Sequence, residues 1–137
     1  VTTSYTITAK SLVDVENKDD SGNNILDYKG NKTYTYGLKT LAKEKAKQQA
    51  NNYISRFNWL VERLAYDSSK TIPSAVTTYV AAIRTDCAEI ETAIDNASDM
   101  AAFKLLYTDE LNTDKTIKTV ARLNRWSDDY DVQQYVR

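Results

Sequence analysis

The chain has 137 residues, with 18 basic and 19 acidic side chains, one cysteine and no histidine. This length suits one compact domain with a core of its own, and the balanced charge disfavours nucleic acid and anionic membranes, which attract clustered basic residues. Because the chain has no histidine, it cannot form Ser–His or Cys–His nucleophile pairs or the usual catalytic zinc sites, so we expect no enzyme activity, no cofactor and no metal.

The N-terminal part of the chain, residues 1–37, is rich in Thr, Tyr, Val, Asp and Asn, which is typical of short strands and turns. Alternating apolar residues over 5–15 predict the first strand, and the polar run 17–24 predicts a turn. Residues 25–28 and 32–36 predict two further strands. We therefore expect a small antiparallel β-meander, and no tandem repeat is apparent.

Two amphipathic helices within residues 38–97 give the strongest pattern in the sequence. In each helix six apolar residues recur at spacings of four and three, which keeps a narrow apolar stripe on one face. The first stripe is Ala46, Ala50, Tyr53, Phe57, Leu60 and Leu64, and the second is Val76, Val80, Ile83, Cys87, Ile90 and Ile94. The short polar connection favours an antiparallel helical hairpin within one chain, with Pro73 in the first turn of the second helix.

The C-terminal part, residues 98–137, predicts shorter helices followed by an aromatic tail. Ser98 or Asp99 is a candidate cap for a helix over about 100–106, and apolar residues at helical spacing predict another helix over 117–123. The tail that follows is predicted as a final short helix or an arm. Together these patterns predict an α+β fold in a single domain, with the β-meander, the helical hairpin and the shorter helices in chain order.

Two features suggest chemistry but have simpler interpretations. The polar run 17–24 begins like a calcium-binding loop, with Gly22 at the sixth position. Tyr28 stands where that loop requires a bidentate glutamate, so an ordinary turn is the preferred interpretation and a calcium site the alternative. Cys87 lies in an apolar stripe without a histidine or a facing cation, which indicates a buried small side chain rather than a reactive thiol.

Aromatic and arginine side chains outside the two stripes are the candidate functional residues. Trp59 lies on the opposite side of its helix from Phe57 and Leu60. A tryptophan in this position either packs against another element of the same domain or is a hot spot for binding another protein, a role for which Trp, Tyr and Arg are enriched. The candidate protein-interface residues are Trp59, Arg56, Arg63, Tyr66, Trp126, Tyr130 and Tyr135.

The helical hairpin also carries a family resemblance. Residues 56–63 (Arg-Phe-Asn-Trp-Leu-Val-Glu-Arg), the following Ile72-Pro73, and Tyr79 with Ile83-Arg84 resemble a segment of tailed-bacteriophage tail-fibre assembly and tail assembly chaperone-like proteins. Those proteins usually have Asp where this chain has Asn58, and Arg where it has Val80. The resemblance implies a phage-encoded, protein-binding role, with Trp59, Tyr79 and Arg84 at family-like positions.

From the residues and the resemblance together we expect a non-enzymatic phage tail-associated protein that acts by protein–protein contact, as a virion structural component or as a tail or tail-fibre assembly factor. The expected partners are phage tail or fibre components, with self-association as a further option, and neither nucleic acid nor membrane. The alternative is a small phage or bacterial regulatory protein that binds a host protein. Because the N-terminal sequence lacks the layout of a signal peptide, we expect it in the virion or the host cytoplasm.

Overall fold

The structure is a computed structural model, and it describes residues 9–137. The predicted α+β class is confirmed, because the chain contains antiparallel strand pairs and a helical hairpin. The part of the predicted first strand that falls in residues 1–8 lies outside the described residues. The chain divides into two compact units, Val1–Ala42 and Lys43–Arg137.

A short strand pair forms the base of the first unit. Strand β1 (Val15–Glu16) pairs antiparallel with strand β2 (Tyr34–Thr35), with Val15 opposite Thr35 and Glu16 opposite Tyr34. We call this pair the stem. The first and third predicted strands therefore pair with each other directly. The strand predicted over 25–28 does not form, and the chain there makes only two isolated bridges, one on each side of Ile25.

Three backbone hydrogen bonds join the stem to two hairpins in a closed ring. The amide of Asn17 donates to the carbonyl of Thr33 at 3.0 Å, the amide of Thr33 donates to Ile25 at 2.9 Å, and the amide of Ile25 donates to Asn17 at 2.9 Å. We call this ring the three-way junction. The first hairpin (residues 18–24) and the second hairpin (residues 26–32) extend from it, and each is closed by one antiparallel bridge.

The two hairpins have the same turn because they share the pattern Asp-x-x-Gly-Asn, at 19–23 and 27–31. In each turn the aspartate Oδ1 accepts hydrogen bonds from two backbone N–H groups, at distances between 2.8 and 2.9 Å. Gly22 and Gly30 both have a φ of 83°, a left-handed conformation that glycine adopts without the steric cost of a Cβ. The chain thus contains a short tandem repeat, contrary to the expectation from sequence.

The first helix, α1 (Leu38–Ser55), is capped by the chain segment that precedes the stem. The carbonyls of residues 11–12 accept the first two backbone N–H groups of α1, at 2.9 and 3.0 Å, which satisfies donors that a helix start leaves without partners. The carboxylate of Asp14 accepts the N–H of Gly37 at 2.7 Å. A Cβ added to Gly37 would lie 2.4 Å from the backbone carbon of Val13, so only glycine fits here.

The helical hairpin in the second unit has two helices in its first limb rather than the one predicted. Helix α1 ends at Ser55, and helix α2 (Asn58–Tyr66) begins after a break at Arg56 and Phe57. The last residues of α1, over 51–55, are Asn, Asn, Tyr, Ile and Ser, all weaker helix formers than the Ala and Lys earlier in the helix. The break turns the chain without moving Phe57 or Leu60 out of the core.

The second limb is helix α3 (Ser74–Asn96), which runs antiparallel to α1. Two ion pairs show this direction: Lys43 Nζ lies 2.8 Å from Asp95 Oδ1, and Lys47 Nζ lies 3.6 Å from Glu91 Oε2. One partner moves forward along the chain while the other moves back, as in antiparallel helices. Pro73 is the N-cap residue of α3 rather than a residue of its first turn.

The two predicted apolar stripes meet in the core of the hairpin. Most stripe residues are buried, Tyr53 and Val80 are half-buried, and Leu64 is more than a third exposed. The packed cluster at the centre consists of Ala50, Phe57, Leu60, Val76, Tyr79, Ile83, Cys87 and Val132. Val132, from the C-terminal tail, was not among the predicted core residues.

The C-terminal part contains the predicted short helix, α4 (Met100–Leu105), and Asp99 caps it by accepting the N–H of Ala102 at 2.8 Å. The prediction of a helix over residues 117–123 is wrong. Strands β3 (Glu110–Leu111) and β4 (Ile117–Thr119) form an antiparallel hairpin there. The β-branched residues of this segment and the turn formed by Asp114 and Thr116 favour a hairpin over a helix.

Two 3₁₀ segments complete the chain, Arg122–Asn124 and Tyr130–Tyr135. Across the described residues, every helix is too short or too polar to cross a lipid bilayer.

Candidate functional site

The tail of the chain packs against the helical hairpin. We call residues 126–137 the C-terminal segment. Its Val132 is only 1% exposed and lies in the hairpin core, while the ring of Trp126 lies 5.5 Å from that of Tyr53. The backbone N–H of Ser127 donates to the carboxylate of Asp86 on α3 at 2.7 Å. The tail, predicted as a final short helix or an arm, is therefore a short 3₁₀ helix that packs on the hairpin.

Arg56 is held at the break between α1 and α2 and joins three parts of the second unit. Its Nε donates to the carbonyl of Tyr53 at 3.3 Å, and Nη2 donates both to the Tyr79 hydroxyl at 3.3 Å and to Asp129 Oδ2 at 3.1 Å. The guanidinium also lies 5.7 Å from the ring centroid of Phe57. One arginine thus links α1, α3 and the C-terminal segment, a role suited to a rigid group with several donors.

Hydrogen bonds and burial shift the pKa values of Asp129 and Tyr79, the two titratable side chains that contact the Arg56 guanidinium. The side-chain amide of Gln133, and then Arg56, donate hydrogen bonds to Asp129 and hold its pKa below the ordinary value. Burial raises the pKa of the Tyr79 hydroxyl, with Arg56 acting in the opposite direction. Asp129 is therefore a charged partner of Arg56 at neutral pH, and Tyr79 is a neutral hydroxyl.

Trp59 contacts both the C-terminal segment and a neighbouring side chain of α2. Its indole Nε1 donates to the carbonyl of Tyr135 at 2.9 Å. The guanidinium groups of Arg63 and Arg137 lie 5.1 and 3.8 Å from the ring centroid, and such cation–π contacts stabilise the ring position. Trp59 therefore packs against another element of its own unit, the first of the two alternatives drawn from its sequence position.

The seven candidate interface residues separate into three groups. Four of them contact each other or their neighbours between the hairpin and the C-terminal segment: Arg56, Trp59, Trp126 and Tyr135. Arg63 contacts the ring of Trp59 from within α2. Tyr66 and Tyr130 instead extend into solvent, with 93% and 81% of their surface exposed. A binding role for any of the seven stays a prediction.

The exposed apolar side chains of α2 form a surface beside this cluster. Val61 and Leu64, which are three positions apart and therefore neighbours on one face of α2, are 57% and 36% exposed. We call these two residues the α2 outer surface. Trp59 and Leu60, on the same short helix, pack inward, so α2 is fixed on one side and bare on the other.

Several residues of the cluster were missed by the sequence analysis. The sequence does not single out Asp129 and Asp86, because their partners, Arg56 and the N–H of Ser127, are distant in sequence. Val132 could have indicated that the tail packs against another element, since an aliphatic residue among Asp, Gln and Tyr is unusual in a fully solvated tail.

The cleft beside the C-terminal segment offers little catalytic chemistry. It has a volume of about 380 Å³ and is lined by Ser74, Thr78, Asp128 and Asp131, among others. Both aspartates are exposed, so they lack the burial that tunes a general acid. No group of three or more metal-ligating side chains occurs within residues 9–137. Burial, and then the carboxylate of Glu91, raise the pKa of the Cys87 thiol, which makes it a poor nucleophile.

The turn that begins like a calcium loop uses its carboxylate for its own backbone. Asp19 Oδ1 accepts the N–H groups of Ser21 and Asn23, both at 2.9 Å, and Oδ2 accepts the Asn23 side-chain amide at 3.3 Å. These bonds hold the pKa of Asp19 below its ordinary value. Since N–H donors occupy both carboxylate oxygens, the geometry is that of a hairpin turn.

In comparisons with known proteins, no family model, curated sequence or solved structure matches this chain.

Proposed function

We propose that this chain is a non-enzymatic, tail-associated protein of a tailed phage, acting by protein–protein contact as a virion structural component or as a tail or tail-fibre assembly factor. The segment that carries the resemblance, residues 56–63, supports this proposal together with its geometry. Its Arg56 and Trp59 side chains contact the C-terminal segment, and its Val61 belongs to the α2 outer surface.

The α2 outer surface is the contact site in this proposal. Its two exposed apolar side chains lie on a helix that Trp59 and Leu60 hold in place. A site held rigid before binding loses little conformational entropy when a partner arrives, so more of the contact energy appears as affinity. Large apolar residues grouped at a surface are typical of protein interaction sites.

The test is capture of tail and tail-fibre proteins after co-expression of the phage proteins with the tagged full-length chain. We expect one of them to co-purify, and we expect the double variant Val61→Ser, Leu64→Ser to lose that partner. The matched control is Leu105→Ser on α4, which removes an apolar side chain that is 69% exposed in a different part of the unit. This control should capture the partner as the parent chain does.

Two results would contradict the proposal: capture of no tail or fibre protein, or equal capture by the α2 double variant. Mass spectrometry of purified virions distinguishes the three possible roles. A virion structural component is present in virions, whereas an assembly factor occurs in tail intermediates. A regulatory protein is absent from both and occurs with a host protein.

A further inference from the structure

We propose that the surface of the helical hairpin beneath the C-terminal segment is a peptide-binding site, and that it accepts the C-terminal segment of a second copy of this chain in exchange for its own. Three observations carry this inference: the surface belongs to the hairpin alone, the segment is held through one regularly spaced set of residues, and most of the segment lies outside the core. The inference is independent of the role proposed for the α2 outer surface.

The surface that receives the segment is formed by residues of the hairpin. We call it the docking surface, and its residues are Tyr53, Arg56, Trp59, Tyr79 and Asp86. Contacts within the hairpin help to position them. Arg56 donates to the carbonyl of Tyr53 and to the Tyr79 hydroxyl, each at 3.3 Å, and the ring centroids of Phe57 and Tyr79 are 5.8 Å apart. These contacts do not involve the C-terminal segment, so they can persist when it leaves.

The segment is held through residues that recur at every third position, namely Trp126, Asp129, Val132 and Tyr135. In that order they contact Tyr53, Arg56, the hairpin core and, through the backbone carbonyl of Tyr135, the indole of Trp59. Residues three apart lie on the same side of a 3₁₀ helix, and Tyr130–Tyr135 is such a helix, with Asp129 as its N-cap residue. The segment therefore presents one side to the hairpin, as a helical peptide does in a binding groove.

Most of the segment lies outside the core. Of its twelve residues six are exposed, among them Tyr130, Asp131 and Gln134, and Val132 is the one that is fully buried. Its 3₁₀ hydrogen bonds have poorer geometry than those of an α-helix. A segment with few buried side chains opens at a lower free energy than the core that it covers. We therefore expect it to leave the docking surface while the hairpin stays folded.

A second copy is the occupant because its segment already carries the complementary residues. The pairing of Asp129 with Arg56 and the burial of Val132 are the same contacts whether the segment comes from the same chain or from a second one, so exchange changes only the connection between segment and hairpin. Asn124 and Arg125 in that connection are exposed, so it can change course without uncovering a buried side chain. A tethered segment has an effective concentration of about a millimolar, so exchange requires a high protein concentration.

A fluorescent synthetic peptide of residues 126–137, titrated with the full-length chain and followed by anisotropy, tests the proposal. We expect weak binding to the parent chain, whose docking surface is occupied. The full-length double variant Asp129→Asn, Val132→Ser should bind the peptide about tenfold more tightly, because its own segment competes less. The same two substitutions in the peptide should abolish binding. General destabilisation does not produce such opposite effects in chain and peptide.

Matched controls accompany this titration. Gln134→Ala changes an exposed residue of the same segment and should alter peptide binding neither in the chain nor in the peptide. Asp129→Asn alone keeps Val132 in the core and should raise peptide affinity in the same direction by a smaller factor. Circular dichroism establishes that the helices of each variant are folded. In the parent chain, the amide of Val132 should exchange with solvent through openings of lower free energy than the amide of Ile83.

Three results would overturn the inference. One is failure of the peptide to bind either variant with its helices folded, and another is equal protection of the Val132 and Ile83 amides in the parent chain. Sedimentation velocity supplies the third, because exchange between copies should give a dimer at high concentration that Val132→Ser removes. A parent chain that binds the peptide yet stays monomeric at every concentration excludes the second copy as the occupant. These results leave the co-purification test of α2 unaffected.

Discussion

At Gly37 the backbone of residues 11–14 passes so close to the start of α1 that a methyl group has no space. A Cβ there would meet main-chain atoms of Val13, which cannot rotate away as a side chain does. Gly30 differs, because its surroundings are open and only its positive φ requires glycine. Glycine is thus required at position 37 because a side chain has no space there, and at position 30 because of the backbone conformation.

We expect Gly37→Ala to destabilise the first unit by about 3 kcal/mol, through overpacking against a fixed backbone. Gly30→Ala should cost about 1–2 kcal/mol, the ordinary cost of a left-handed alanine. Amide hydrogen exchange of residues 9–42 measures both changes. A smaller loss of protection in Gly37→Ala than in Gly30→Ala would contradict the structure of this segment.

Asp129 makes the stability of the fold depend on pH, and the sign of this dependence follows from its lowered pKa. A carboxyl whose pKa is lower in the folded than in the unfolded state stabilises the fold above the unfolded pKa, and this contribution is lost as the pH falls through the folded pKa. We therefore expect Asp129→Asn to be less stable than the parent chain at neutral pH, with the difference shrinking below about pH 4, where unfolded aspartate titrates. Urea denaturation at a series of pH values, followed by tryptophan fluorescence, measures this difference. A difference that is constant with pH would show that Asp129 does not stabilise the fold through its charge.

At the scale of elements, the helical hairpin was predictable because its signal is local and repeated. Each stripe places an apolar residue every three or four positions, and six such positions define a helical face without any knowledge of the partner. The break at Arg56 and Phe57 was not predictable from the stripe, because Phe57 keeps the apolar spacing in phase across it. The contacts that Arg56 makes at the break were not predictable either, since Tyr79 and Asp129 are distant in sequence.

For the β3–β4 hairpin, the local pattern of the sequence predicted the wrong secondary structure. Ile117, Val120, Ala121 and Leu123 have helical spacing, yet the turn at Asp114 and the bonding of β4 to β3 prevailed over it. A segment this short satisfies both periods, so periodicity alone does not decide between them. The turn residues before it and its own β-branched residues contained the deciding information.

Docking of the C-terminal segment is testable through Val132. We expect Val132→Ala to destabilise the second unit by about 1.5–3 kcal/mol, since it removes most of a fully buried side chain and leaves a cavity. Gln134→Ala, at an exposed position of the same 3₁₀ segment, is the control and should change stability by less than about 0.5 kcal/mol. Urea denaturation measures both. Equal stability of the two variants would show that Val132 does not anchor the segment.

At the scale of the whole molecule, the two units are stabilised by different interactions. The second unit has a core of buried apolar side chains, whereas the first is held by its junction, its turns and the cap of α1. The class of the fold was predictable, since helical and strand-forming residues are segregated along the chain. The three-way junction was not, because backbone hydrogen bonds between Asn17, Ile25 and Thr33 leave no periodic pattern of side chains.

This difference predicts two levels of stability in one chain. At protein concentrations low enough to keep the chain monomeric, amides of residues 9–42 should exchange through openings of low free energy, while those of α3 should require unfolding of the second unit. Both tryptophans lie in the second unit, so their fluorescence reports its unfolding alone. Equal protection of the amides at Thr33 and Ile83 under these conditions would contradict the assignment.

The three-way junction at Asn17, Ile25 and Thr33 makes each hairpin independent of the other. Since every ring residue is bonded through its main chain, the geometry of the ring is indifferent to what the loops beyond it contain. Loop length and sequence at residues 20–21 and 28–29 can then diverge while the ring persists. Such an arrangement permits a protein to acquire new recognition by exchanging two short loops, much as an antibody does with its hypervariable loops.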